Sequence, residues 1–438
     1  MQTAGEIVTS KERIKVAFAA QFGSIIDWYD FFLVGLVAAL VWSKTLFPTT
    51  VSPSLTIFFV LLTYSIAYIS RPVGAIIFGH YGDKIGRKTM MIFTLVLCGG
   101  SMFAMAAIPT YAQIGLLAPI LVLLLRLIFG LGVGGEIGGA QTWVSEFASY
   151  SKKHRGFWNS VVISSLGIGS FLAAILIYLF LIVFGTDNFI SYAWRYLFII
   201  GGIAIVIGIL IRYVTLESPI FIKAKKSGRI VKIPLAVAFK REWKNILPFL
   251  TLVIPGLLAY ALIGAGPLVI SYASALKISF LSIVLAQAIG ALLSVPFCLI
   301  GGILADKIGR KAVFIIGMAI LTVITYPSFL LLFSKTFELL LLQQILTNSW
   351  LFFYGAFMAL MAETFSTEIR YTALGVTYQL STLIGGLMIS FLVPYIIAIS
   401  GGLLNAWTNI SIMLIVVYVI SGIIVGLFTK ETKNVIME

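Results

Sequence analysis

Of 438 residues, 60% are hydrophobic and 11% are charged, against about a quarter charged in an ordinary soluble domain. This excludes a soluble globular enzyme, a disordered chain and a fibrous one. The net charge of +14 does not point to nucleic acid, because the basic residues gather at the chain ends and in alternate loops.

A membrane-spanning helix needs roughly 20 apolar residues. Runs of that length recur along the chain, and twelve spans are predicted, over residues 15–43, 54–80, 88–108, 115–147, 157–184, 193–214, 245–275, 279–303, 311–333, 336–364, 370–399 and 405–428. The runs are continuous, as in Ile199–Leu210 and Ile410–Leu427, and lack the alternating polarity of barrel strands. The loops with Lys84, Arg87 and Lys88, with Lys152, Lys153 and Arg155, with the run Arg212 to Lys244, and with Lys307, Arg310 and Lys311 fall on one side. The opposite loops hold Lys44, Arg195, Lys277 and Lys335. Cytoplasmic loops carry the basic excess, so both termini are predicted in the cytoplasm, with the basic face toward anionic lipid headgroups. Cys98 and Cys298 lie in apolar runs without ligand spacing, so neither a disulfide nor a metal site is expected. The polar first residues, with Glu6 and Glu12, do not form a cleavable signal peptide.

The chain repeats itself. Gly79-His-Tyr-Gly-Asp83-Lys84-Ile-Gly86-Arg87-Lys88 follows the second span, and Gly302-Ile-Leu-Ala-Asp306-Lys307-Ile-Gly309-Arg310-Lys311 follows the eighth. Leu216-Glu217-Ser218-Pro219 and Lys430-Glu431-Thr432-Lys433 form a second pair after spans six and twelve. Repeats at about half the chain length imply a duplicated unit. The expected fold is an all-α integral membrane protein of two pseudo-symmetric six-helix bundles, 1–214 and 245–438, joined by a cytoplasmic linker at 215–244. Such parallel repeats place a ligand site between the halves near the bilayer midplane.

The doubled Gly-x-x-x-Asp-Lys-x-Gly-Arg-Lys loop resembles the signature loop of the major facilitator superfamily. Ile26-Asp27-Trp28-Tyr29-Asp30-Phe31-Phe32, Ser70-Arg71-Pro72-Val73-Gly74, Arg126-Leu-Ile-Phe-Gly130, Gly134-Gly135-Glu136, Glu217-Ser218-Pro219-Ile220-Phe221 and Glu363-Thr-Phe-Ser-Thr-Glu-Ile-Arg370-Tyr371 are similar to the motifs of its metabolite:proton symporters. That family includes α-ketoglutarate, citrate, shikimate and proline/betaine transporters. Asp27 stands where the family usually has Glu, Phe129 where it has Gln and Ile137 where Trp is common. The resemblance implies a monomer that moves a small carboxylate or zwitterion with protons by alternating access, without a cofactor.

Ionisable residues inside spans are costly and mark function. Asp27 lies near the middle of span one, and Asp30, three residues on, shares its helix face. Asp27, Asp30 and Glu136 are the proton-coupling candidates; permanent pairing of the two Asp residues with Arg71 or Arg126 is the alternative. Arg126 and Arg71, as guanidinium forks suited to carboxylates, are candidate substrate anchors. Arg126 and Glu136 are ten residues apart on one helix, turned so that they need not touch. Trp28 and Tyr29 are candidates for stacking on substrate. Among Tyr260, Gln287, Gln343, Asn348, Tyr354, Tyr378 and Gln379 in the C-terminal spans, Asn348, Tyr354 and Tyr378 are the preferred binding residues, because the equivalent spans line the cavity in the superfamily. Asp83, Arg87, Asp306 and Arg310, with Glu146 and Arg155 and with Glu363 and Arg370, are expected to form a charged gate at the cytoplasmic ends of the helices. Proton-coupled sugar uptake, a drug or metabolite antiporter, and a non-transporting receptor are the competing readings. No His-Glu-x-x-His, Gly-x-Ser-x-Gly or nucleotide-binding loop occurs, so the chain is not expected to be an enzyme or to use ATP.

Overall fold

The computed structural model describes residues 10–48, 53–148, 154–213, 234–264 and 266–435. Every regular element among them is helical, as a lipid environment requires of a backbone that must satisfy its own hydrogen bonds. Eleven helical stretches are long and apolar enough to cross a membrane. We number the spans α1 (Ile14–Thr45), α2 (Leu55–Ile85), α3 (Lys88–Ala106), α4 (Leu117–Ala148), α7 (Ile254–Ala275), α8 (Phe280–Ile308), α9 (Arg310–Phe333), α10 (Phe337–Thr364), α11 (Arg370–Ile399) and α12 (Leu403–Phe428). The remaining stretch, Arg155–Tyr213, has 59 residues, about 88 Å of helix and far more than the roughly 30 Å hydrocarbon layer. It bends at Gly185, whose φ of 73° is non-helical. The bend separates α5, beginning at Arg155, from α6 (Trp194–Tyr213), and gives the twelve expected spans. Outward apolar side chains such as Ile203, Val206 and Leu210 on α6 and Val323 on α9 form the lipid-facing belt.

The repeated loops turn in the same way. Gly86 and Gly309, with φ of 138° and 111°, link α2 to α3 and α8 to α9 in a conformation that a residue with a Cβ rarely adopts. The two halves meet where α2 packs on α11 and, in the symmetric position, α8 packs on α5. Inside the first half, α4 presses on α2: a Cβ on Gly134 would lie 2.2 Å from the Arg71 carbonyl oxygen. Glycine therefore sets the close crossing that brings the inward charges of α2 and α4 into one layer.

Two expectations change. The predicted linker 215–244 overlaps a helix, Pro234–Phe249; residues 214–233, with the Glu217-Ser218-Pro219 motif, lie outside the described residues. That helix exposes Phe239, Trp243 and Leu247 at four-residue spacing between Lys240, Arg241 and Lys244, the pattern of a helix lying in a membrane interface. The predicted span 245–275 is also not one rod. Phe249 ends the helix, α7 starts at Ile254, and α7 is interrupted around Gly264 and Gly266. Gln343 of α10, expected in the pocket, instead donates to the Ile263 carbonyl at this break, and Gln344 donates to Gly264 at 3.4 Å.

Candidate functional site: a closed aromatic cavity between two gates

Between the halves lies a narrow cavity, far smaller than the roughly 300–1,000 Å³ of ligand pockets. Its walls have closed in until it has room for no more than about one water. Trp28, Phe31 and Phe32 of α1, Tyr68 and Arg71 of α2, Tyr260 of α7, Trp350 and Tyr354 of α10 and Tyr378 of α11 line it. The rings pack closely: Phe32 lies 4.4 Å from Tyr260 and Trp350 4.9 Å from Tyr354. The hydroxyls of Tyr354 and Tyr378 are 3.3 Å apart. The Arg71 guanidinium sits over the rings of Tyr68 at 4.4 Å and Phe31 at 5.4 Å. It is 1% exposed and, among the described residues, makes no ion pair and leaves Nε and Nη1 without a hydrogen-bond partner.

The sequence candidates sort by these positions. Arg71, Trp28, Tyr354 and Tyr378 reach the cavity. Tyr29 does not; its hydroxyl donates to the Leu197 carbonyl at 2.8 Å, tying α1 to α6. Asn348 folds back on its own helix and donates to Gln344 O at 2.8 Å. Arg126 is fully buried and paired through Nη1 with Asp30 Oδ2 at 2.5 Å; its Nε and Nη2 have no hydrogen-bond partner among the described residues, and it lies over Phe129 at 5.0 Å. Phe31, Phe32, Tyr68 and Trp350 escaped the sequence reading, because an aromatic residue in an apolar span reads as packing.

A second buried pair lies along α1 toward the repeat loops. Glu136 of α4 is bound by both terminal nitrogens of Arg212, and Thr94 donates to it at 3.1 Å. Arg212 also donates to Met91 O at 2.9 Å. This corrects the placement of Arg212 among loop charges: it is 1% exposed at the end of α6. Asp27 lies on α1 between the two pairs. It is 3% exposed, and neither carboxylate oxygen has a hydrogen-bond partner. Among the described residues, the inner layer thus holds three acids (Asp27, Asp30, Glu136) and three arginines (Arg71, Arg126, Arg212). Two of each are paired; Asp27 and Arg71 are the ones left over.

The face bearing the repeat loops is closed by a symmetric charge lattice. Asp306 accepts from the backbone of Gly156 and Phe157 at 2.9 Å each, the first turn of α5 in the other half. Asp83 accepts from the Thr372 amide at 3.2 Å and its hydroxyl at 2.6 Å, the first turn of α11. Each repeat Asp therefore caps the N-terminus of a helix across the seam. The expected Glu146–Arg155 and Glu363–Arg370 groupings are exchanged between halves: Glu146 pairs with Arg370 at 3.2 Å and Glu363 with Arg155 at 3.1 Å. Glu363 also holds Arg310 at 2.9 Å and Thr432 at 2.6 Å. The side chain of Arg87 lies outside the described residues. At the opposite end the seam is closed without charge, by the hydroxyls of Ser65 and Ser390 and by Phe58 against Phe391, ring centroids 6.5 Å apart.

A constricted aromatic cavity between two six-helix halves, with the seam closed on both sides of it, is the architecture of a membrane transporter. Residues 20–389 match the model of the Major Facilitator Superfamily. The chain is 32% identical to the proline/betaine transporter of Salmonella typhimurium, over 96% of this chain and 84% of that protein. It is 30% identical to the shikimate transporter of Escherichia coli, over 98% and 97%. The fold superposes on the proton:xylose symporter XylE with a TM-score of 0.74, at 16% identity, covering 97% of each chain. The chain belongs to the Major Facilitator Superfamily. It is a multi-pass secondary transporter of the cell membrane, not an enzyme.

Proposed function

We propose that this transporter carries a small zwitterion with a carboxylate and an alkylated ammonium, of the proline or betaine kind, into the cell together with protons. The observation that carries the reading is Arg71, the unpaired guanidinium of an aromatic-walled cavity. Its free donors suit a carboxylate, and the surrounding ring faces suit a substituted ammonium. Coupling follows from charge. With Asp27 ionised, the six inner charges balance. With Asp27 protonated, Arg71 loses the negative charge that balanced it, and the substrate carboxylate supplies one at that spot while the ammonium rests against the rings. Proton and substrate therefore favour the same closed state, as coupling requires. Asp30 and Glu136 are paired with Arg126 and Arg212 and are not the proton site in this scheme.

Alternating access then consists of the two halves rocking about the cavity between the charge lattice and the hydroxyl–aromatic seal. The excess of Lys and Arg in the loops on that side supports a cytoplasmic position for the lattice and both termini, beside anionic lipid. The internal duplication makes a single chain of two halves, 1–214 and 245–438, sufficient as a monomer. An organic acid is the second reading, favoured by the similarity to a shikimate transporter.

The test is uptake by the purified protein in liposomes of labelled betaine, proline, shikimate and xylose, with and without an alkaline lumen. The expected result is gradient-driven accumulation of betaine or proline. Accumulation of shikimate alone selects the acid reading. Accumulation of xylose alone removes the role of Arg71 as carboxylate anchor, and proton-driven efflux identifies an antiporter.

A further inference from the structure

We propose that Arg212 is a positioning residue that transmits the charge state of Asp27 to the gate, by exchanging Glu136 for Asp27 when the proton leaves. This rests on the reading above that Asp27 carries the proton.

The observations are geometric. The guanidinium of Arg212 lies flat against α1 at Gly23, where a Cβ would meet Nη2 at 2.0 Å and Glu136 Oε1 at 3.1 Å. Gly23 is about one turn before Asp27, on the same helix face, about 6 Å along the axis. Glycine therefore leaves a slot beside α1 in which the guanidinium faces Glu136 and has Asp27 one turn away. An ionised carboxylate without a partner is costly in this setting. The charged and titratable groups around Asp27 are Glu136 on α4, Arg212 on α6, Arg71 on α2, Asp30 on its own helix and Cys98 on α3. Arg126 is committed to Asp30 at 2.5 Å, and Arg71 is held in the cavity by Tyr68 and Phe31. That leaves Arg212 as the cation on the side of the repeat loops able to move to Asp27 without leaving the protein interior.

Its neighbour on the other side is the gate. Tyr371, on the first turn of α11, lies within electrostatic reach of Arg212, and its hydroxyl donates to Gly135 O at 2.7 Å, next to Glu136. The flanking residues Arg370 and Thr372 hold Glu146 and Asp83 across the seam. Withdrawal of Arg212 from Glu136 leaves a bare carboxylate one residue from the carbonyl that holds Tyr371. It loosens the gate from within, at the moment the proton has gone.

The test uses the full-length protein in liposomes. Arg212→Gln alone orphans Glu136, so the informative variant is the neutral pair Arg212→Gln/Glu136→Gln, read beside Asp27→Asn. Two assays are compared: exchange of labelled against unlabelled betaine at equal pH, and accumulation as a function of lumenal pH. The expected result for the double variant is accumulation reduced by about tenfold or more and flat against lumenal pH, with exchange reduced by no more than about threefold; couplings of this size are usual between linked sites. Arg212→Lys, which keeps the charge, is expected to recover the dependence on lumenal pH. A double variant that accumulates betaine with the wild-type dependence shows Arg212–Glu136 to be a structural pair and overturns the proposal. So does one that loses exchange as fully as accumulation, since the residue is then not separable from the carrier cycle. If Asp27→Asn still accumulates betaine, the proton site itself is misassigned, a failure distinguishable from that of Arg212.

Discussion

Replacing Arg71 with alanine is expected to weaken substrate affinity by about 30-fold or more while the protein still folds. Truncating one side of a buried, charge-assisted contact costs about 2–5 kcal/mol, and each 1.4 kcal/mol is tenfold in affinity. Folding is expected to survive because Arg71 makes no ion pair among the described residues, so its loss orphans no carboxylate there. Arg126→Ala is the contrast. It strips Asp30 of the partner 2.5 Å away, and breaking a buried pair from one side costs about 3–5 kcal/mol of stability. Calorimetric titration of betaine into detergent-solubilised protein, with thermal unfolding of both variants, separates the two roles. The assignment fails if Arg71→Ala binds within threefold of wild type, or if it unfolds as early as Arg126→Ala. Arg71→Lys is expected to recover little, because a point ammonium lacks the planar fork and stacks less well on Tyr68.

Neutralising Glu363 is expected to open the charged face. This one carboxylate holds Arg155 from the other half at 3.1 Å, Arg310 at 2.9 Å and the Thr432 hydroxyl at 2.6 Å. Glu363→Gln leaves buried Arg155 without a carboxylate partner among the described residues and Arg310 with Asp306 alone, at 3.0 Å. The cost of about 3–5 kcal/mol falls on the closed state, since Arg155 reaches water when the halves part. A full reversal of a two-state population takes about 5.5 kcal/mol, so the variant is expected to turn a mostly closed gate into a mixed or mostly open one. Spin labels at His154 and Lys307, exposed residues on opposite sides of the seam, report the distance directly. A distribution identical to wild type removes the gating role. Asp83→Asn and Asp306→Asn act in the same direction but less strongly, because each loses helix-capping bonds and leaves fewer buried arginines unopposed.

The twelve spans were legible because the length of an apolar run is a local property. The turn glycines and repeat charges were legible because they occur twice. Partnership was not. Glu146 stands near Arg155 in sequence, yet it pairs with Arg370, because the choice is made by how two bundles dock and leaves no spacing to read. Arg212 closes an apolar run and so resembles a topogenic loop charge; only Glu136, on another helix, shows otherwise. One clue was present. Shifted by the offset that relates Glu217 to Glu431, Arg212 falls on Gly426. A charge kept in one half alone points to a partner rather than to topology. Tyr29 and Asn348 mislead for the converse reason: a polar group in an apolar span must be satisfied, and a neighbouring carbonyl does so as well as a substrate.

The balance of three acids and three arginines in the inner layer also has an electrical meaning. On the proposed assignment of the proton to Asp27, the empty, deprotonated carrier has no net charge in that layer, and its return is expected not to sense the membrane potential. Loaded with a proton and a zwitterion, the layer carries one positive charge, and an inside-negative potential drives that step by about 2.3 kcal/mol per 100 mV. Loaded with a proton and a simple carboxylate anion, it carries none. A potassium diffusion potential imposed on the same liposomes is therefore expected to accelerate uptake of betaine and leave uptake of an organic acid unaffected, so that the voltage response reads the charge of the cargo.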